Sequence, residues 1–206
     1  MSITSSRNPS VPEGYSPVTA GQLATVVTCL DMTERPVPGA VALPPGVTLE
    51  HEAAPAPAAY RQLYRLVGED WLWSSRLVMG DDELIAILHD PRVEVHVLRS
   101  GGAPAGILEL DFREPDACEI AFFGIAPAFT GSGLGRHMMH RALELAWSRP
   151  IARLWLHTCH LDHPAALAFY QRTGFRPYAR MVEVLDDPRL SGILPLTAAP
   201  HIPLLR

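Results

Sequence analysis

Hydrophobic and polar positions along this chain switch between a period of two and a period of about 3.6, and the switches mark its elements. Residues 23–32, LATVVTCLDM, are rich in β-branched side chains and read as a strand. Residues 46–51 give a second strand. Residues 58–69, AAYRQLYRLVGE, put Tyr60, Leu63, Tyr64 and Val67 on one helical face. Trp71-Leu72-Trp73 breaks that helix. A second helix is predicted over 81–89, capped by Asp81 or Asp82. Residues 93–98 and 105–111 are strands joined by a hairpin turn at Ser100-Gly101-Gly102. Residues 118–125 are an apolar run suited to a buried strand. Pro127 stops it, because proline has no N–H to donate. A helix follows, with Leu134, Met138, Ala142 and Leu145 on one face. Residues 153–157 read as a strand. A short helix comes next, with Asp162 as its cap, Pro164 near its first turn and Gly174 in the left-handed position that ends it. Residues 182–185 are the last strand.

The stretch 119–135, EIAFFGIAPAFTGSGLG, joins strand to helix through three glycines at alternate positions, Gly131, Gly133 and Gly135. Such a turn aims backbone N–H groups and the positive end of the helix dipole at one point, which suits a phosphate. Two common phosphate loops are excluded. A Walker A loop needs a lysine, and this chain has none. A dinucleotide fingerprint needs G-x-G-x-x-G directly after the strand. Here the spacing is G-x-G-x-G, and residues 126–130 intervene.

The turn resembles motif A of the GNAT N-acetyltransferases, R/Q-x-x-G-x-G/A at the start of the long central helix. Thr130-Gly131-Ser132-Gly133-Leu134-Gly135 matches it, with Thr130 where the family has Arg or Gln and Arg136 close enough to compensate. Residues 162–175, DHPAALAFYQRTGF, are similar to motif B, N-x-x-A-x-x-L/F-Y-x-x-x-G-F. Ala166, Tyr170, Gly174 and Phe175 match, and His163 stands where Asn is usual. The resemblance covers residues 46–186 as an acetyltransferase domain. Residues 1–45 are then an extension with a Pro-rich linker, and 187–206 a tail. The strand at 23–32 is expected at the sheet edge or against another subunit.

This resemblance implies an α/β (α+β) GNAT fold, with a mixed, mostly antiparallel central sheet splayed in the middle and helices on both faces. It implies acetyl-coenzyme A as co-substrate and no metal. The pyrophosphate falls on Thr130, Gly131, Ser132, Gly133, Leu134, Gly135 and Arg136, with His163 and Ala166 nearby. The pantetheine arm runs along Phe123, Gly124 and Ile125. Tyr170 matches the family's general acid. Glu119 aligns with the base of histone-type members, and His157 is its rival. Trp71, Trp73, Glu69, Asp70 and His157 are candidates for the acceptor wall, although both tryptophans suit plain packing equally well. His157, His160, His163, Cys159 and Asp162 have the composition of a metal site. On a strand, however, His157 and His160 point to opposite faces.

Composition narrows the partners. At 206 residues the chain is expected to be one domain with extensions, and 48% hydrophobic content supports a sizeable core. A net charge of −5 argues against a nucleic-acid surface and favours a cationic small substrate. All 17 basic residues are arginine, which reflects genomic base composition rather than function. Cys29, Cys118 and Cys159 make no disulfide framework and suit a reducing cytoplasm. No run reaches transmembrane length and the first residues lack a signal segment, so no membrane partner is expected. The additional strand and apolar tail predict a homodimer. Two functions remain: acetyl transfer to a primary amine (of a small molecule, or of a protein N-terminus or lysine), and a silent acyl-coenzyme A-binding module. The intact Tyr170 favours transfer.

Overall fold

A computed structural model describes residues 10–36 and 42–206. Residues 1–9 and part of the predicted Pro-rich linker, residues 37–41, lie outside the described residues. Strand β1 (Gln22–Met32) is followed by β2 (Val47–Glu52), helices α1 (Pro57–Gly68) and α2 (Asp81–Leu88), and strands β3 (Val93–Ser100), β4 (Ala103–Asp111) and β5 (Ala117–Ile125). Helix α3 (Leu134–Ala146), β6 (Arg153–Cys159), α4 (Ala166–Arg172) and β7 (Arg176–Asp186) complete the order. The seven strands form one sheet, β2-β3-β4-β5-β6-β1-β7. Every neighbouring pair is antiparallel except β5 and β6, whose parallel pairing needs the α3 crossover.

The strand expected at an edge or against another subunit is an interior one. β1 lies between β6 and β7 and pairs with both. The reason is legible in its side chains, since Cys29 and Leu30 are wholly buried and Val27, Thr28 and Met32 nearly so. An edge strand would leave such a run in water. The edge is instead β7, most of whose residues are exposed.

Helices cover both faces. α1 and α2 bury Tyr60, Tyr64, Val67, Leu84 and Leu88 against Val95 and Ile107. α3 and α4 bury Met138, Met139, Ala142 and Tyr170 against Leu108, Leu110, Ile120, Leu154 and Leu156. The hairpin glycines Gly101 and Gly102 both have positive φ, 58° and 83°, as a two-residue primed turn requires. Two predicted caps are absent. Gly80 precedes α2 without a side-chain cap, leaving Asp81 and Asp82 in the first turn, where they favour the helix dipole. Asp162 does not cap α4, which begins after Ala165.

Beyond β7 the chain folds back on itself. The Asp187 carboxylate holds Arg189 at 2.7 Å, with both side chains 2% exposed. Arg189 then donates to the carbonyls of Ala198, Ala199, Ile202 and Pro203. This clamp seats Leu194, Ala198 and Ala199 in an apolar cluster with Leu72 and Leu161. No helix among the described residues is long and apolar enough to cross a membrane.

Candidate functional site

The sheet opens between β5 and β6. Their ladder has three pairs, Ala117 with Arg153, Cys118 with Leu154 and Glu119 with Trp155. β5 then continues to Ile125 while still paired with β4, and β6 continues to Cys159 while still paired with β1. The β6-facing backbone of residues 120–125 is therefore a free lip. A cleft of about 2180 Å³ runs through the opening. Ordinary small-molecule pockets hold roughly 300–1,000 Å³, so this one has room for two reactants. Phe123, Gly124, Ile125, Thr130, Gly131, Gly133, Leu134, Gly135, Arg136, His163, Ala166, Tyr170, Glu119, His157, Trp71 and Trp73 all line it.

At one end lies the glycine turn. Gly131 and Gly133 have φ of 82° and 84°, and a Cβ at either would stand in open space. Positive φ, not crowding, is what demands glycine here. The turn's own hydrogen bonds use the N–H groups of Thr130, Ser132 and Arg136. Those of Gly131 and Gly133 have no partner among the described residues. With the N-terminus of α3 they form an open cradle of donors that fits a phosphate. Ser132 is exposed, its hydroxyl donates to the Phe129 carbonyl at 2.5 Å within the turn, and it does not line the cleft.

Tyr170, on α4, lies in the cleft wall with Phe123, Phe169 and Phe175 around its ring. Burial, and after it the nearby Asp162 carboxylate, push its phenol well above the usual tyrosine range. The proton is held at neutral pH, as a proton donor requires. Where the β5–β6 ladder ends, Glu119 Oε1 lies 3.4 Å from His157 Nδ1. The two rival bases are thus neighbours, each supplied by one side of the opening.

The profile of the acetyltransferase (GNAT) family matches residues 60–175, which hold the cradle, the lip, Glu119, His157 and Tyr170. The chain belongs to the GNAT acetyltransferase family. Among curated relatives, it is 30% identical over 114 residues to the mycothiol acetyltransferase of Beutenbergia cavernae, covering 54% of this chain and 32% of that one. It is 36% identical over 81 residues to the N-alpha-acetyltransferase RimI of Mycobacterium tuberculosis, covering 38% of this chain and 49% of that one. The chain thus spans a third to a half of these relatives' lengths. A solved GCN5-related N-acetyltransferase from Sphaerobacter thermophilus superposes with a TM-score of 0.59 at 17% identity, over 84% of this chain and 53% of that one. An aminoglycoside acetyltransferase from an uncultured soil metagenome gives 0.53 at 16% identity, over 63% and 88%. These two likenesses show the GNAT fold.

Within this GNAT site, some residues fall elsewhere than expected. Glu69 and Asp70 face a separate shallow depression beside Arg65, Leu66 and Pro127, outside the main cleft. They sit in the 3-10 turn that ends α1, and its rotation carries them away. His163 does more than line the wall: its Nδ1 accepts the Ala165 N–H at 3.1 Å and so shapes the entry to α4. Among the described residues no group of three His, Cys, Asp or Glu side chains is placed to hold a metal.

A buried polar network behind the lip was not foreseen. Arg76 reaches Glu109 on β4 at 2.5 Å, and the Tyr60 hydroxyl donates to the other carboxylate oxygen at 2.5 Å. Glu109 is wholly buried. The Arg76 guanidinium also sits over the Phe122 ring, 5.1 Å from its centre. The sequence signal was a glutamate inside the apolar run 105–111, which demands a buried cation or donor. Its partner, 33 residues away, could not be read from spacing.

Proposed function

We propose that this chain is an acetyl-coenzyme A-dependent N-acetyltransferase whose acceptor is the primary amine of a small molecule, attacking directly in a ternary complex. The observation that carries this reading is the line of groups along one cleft: open glycine turn, free lip of β5, buried phenol, and Glu119 beside His157. The Gly131 and Gly133 N–H groups take the pyrophosphate. The lip at Phe123, Gly124 and Ile125 pairs with the pantetheine amides, and its N–H groups polarise the thioester carbonyl. Glu119, with His157, removes a proton from the ammonium. The freed nitrogen attacks the carbonyl carbon, the C–S bond breaks, Tyr170 gives its proton to the departing thiolate, and the proton that the acylated nitrogen then sheds restores the Tyr170 phenol. Alignment of the two reactants in the cleft supplies much of the acceleration.

The name of one relative, mycothiol acetyltransferase, supports a small acceptor. The likeness to RimI, an N-alpha-acetyltransferase, supports a second reading in which the acceptor is a protein amine. A panel of small amines and of peptides, assayed for coenzyme A release, separates them. Turnover with a small amine and none with peptides is expected, and the reverse selects the second reading. Acetyl-coenzyme A binding without turnover on any amine would leave the protein as a silent binding module.

A further inference from the structure

Past Glu119 and Trp155 the sheet no longer sets the distance between β5 and β6. Three consecutive residues after α1, the last of them packed on β5, meet three consecutive residues after β6. The Trp71 ring stands edge-on to the His163 imidazole, 5.1 Å between centres. Leu72 and Leu161 are buried in one apolar cluster. Trp73 Nε1 donates to Asp162 Oδ1 at 3.1 Å. The other oxygen of Asp162 accepts from the Thr158 hydroxyl at 2.8 Å and the Cys159 N–H at 2.9 Å, which fixes the carboxylate to the end of β6. Trp73 packs on Phe122 of β5, 5.3 Å between ring centres, and lies between Gly124 of β5 and Gly68 of α1. A Cβ added to Gly124 would lie 3.2 Å from its ring, and one added to Gly68 only 2.4 Å. Leu72 adopts left-handed φ of 55°, a conformation unfavourable for leucine. It is held there by the contacts on either side of it.

We propose that residues 71–73 and 161–163 form a clasp that fixes the width of the opening between β5 and β6. Asp162 is its positioning residue, and the clasp thereby sets affinity for the coenzyme thioester. The inference rests on the cofactor reading given above. The physical case is that a hydrogen bond from an indole to a carboxylate, partly shielded from water, is stronger than one between neutral groups. Here it joins the two sides where no ladder bond does. Asp162 has no cationic partner within 4.0 Å among the described residues, so its charge rests on these three donors.

Trp73→Phe removes the indole N–H while keeping an aromatic ring in the slot between the two glycines. Asp162→Ala removes the other half. Calorimetric titration with acetyl-coenzyme A, beside steady-state kinetics and thermal melts, tests the clasp in the single and double variants. Each single variant should weaken acetyl-coenzyme A binding roughly tenfold. The double variant should be no weaker than the weaker-binding single, because both remove the same bond. KM for acetyl-coenzyme A should rise in step with the loss of affinity in each variant while the thermal melts stay cooperative, a combination that a general loss of structure would not give. Wild-type affinity in Trp73→Phe would overturn the clasp, as would losses that multiply in the double variant. If Asp162→Ala fails to fold, Trp73→Phe decides alone. A wild type that binds no acetyl-coenzyme A would overturn the cofactor reading and the clasp together, which distinguishes the two failures.

Discussion

In the proposed mechanism, position in the cleft divides labour between two ionisable groups, Tyr170 and Glu119. Tyr170 is buried among Phe123, Phe169 and Phe175, and its phenol is pushed above the usual range by that burial. Glu119 is part-exposed at the end of a ladder and has His157 beside it. The first environment retains a proton, and the second sets a carboxylate beside an imidazole at the opening. Tyr170→Phe keeps the ring and nearly all the buried area, so folding and acetyl-coenzyme A affinity should be unchanged. Turnover should drop by roughly 10²–10⁴-fold, the usual worth of a positioned acid. A loss confined to kcat and kcat/KM, read beside a cofactor titration, is the expected signature. Glu119→Gln should cost less and recover at high pH, where the amine loses its proton unaided. Wild-type turnover in Tyr170→Phe would transfer the acid role to another group or to water.

At the scale of elements, the lip of β5 rests on what packs against Phe122 and Gly124. Gly124 is glycine because Val67 and Trp73 press on the strand from α1 and the turn after it. A Cβ at position 124 would lie 2.3 Å from Val67 Cγ1. Gly124→Ala should therefore displace the lip, costing about 1–3 kcal/mol of stability as overpacking does, and weaken acetyl-coenzyme A binding in the same variant. Chemical denaturation and calorimetry measure the two effects. Glu109 supports the lip on the same face, through Arg76 and its contact with Phe122. Removing one partner of such a buried pair leaves an uncompensated charge. Glu109→Ala should accordingly destabilise by about 3–5 kcal/mol in urea titration.

The whole molecule is closed by parts that flank the family match in sequence. β1 completes the sheet between β6 and β7, and the Arg189 clamp seats the tail against Leu72 and Leu161. Three buried tyrosines, Tyr60, Tyr64 and Tyr170, have phenols raised mainly by burial. In the unfolded chain they ionise near pH 10. Between that value and their higher native pKa, the native state binds more protons than the unfolded one. Stability is then fully present below about pH 10 and falls as pH rises, by roughly 1.4 kcal/mol per unit for each tyrosine. Urea midpoints measured from pH 8 to 11 should drop steeply above 10. Flat midpoints across that range would show that the phenols are accessible in the native state.

Local pattern was enough for much of this. The helical face of Tyr60, Leu63, Tyr64 and Val67, the Gly101-Gly102 turn, the apolar run of β5 and the alternating glycines before α3 each depend on interactions within a few residues. Periodicity and backbone freedom are local properties, so these elements could be read directly. The motif spacing then identified the family and, with it, the order of elements. What the sequence could not determine was pairing across long separations. β1 lies between β6 and β7 because its two edges are paired by strands more than 120 residues away. Glu109 finds Arg76, and Asp162 turns from capping a helix to receiving the Trp73 indole, for the same reason. A side chain's local options are close in energy, and desolvation by distant neighbours chooses among them. Proximity in sequence puts Ser132, Glu69 and Asp70 near the site, but the Ser132 hydroxyl is bonded within its own turn and Glu69 and Asp70 lie outside the cleft.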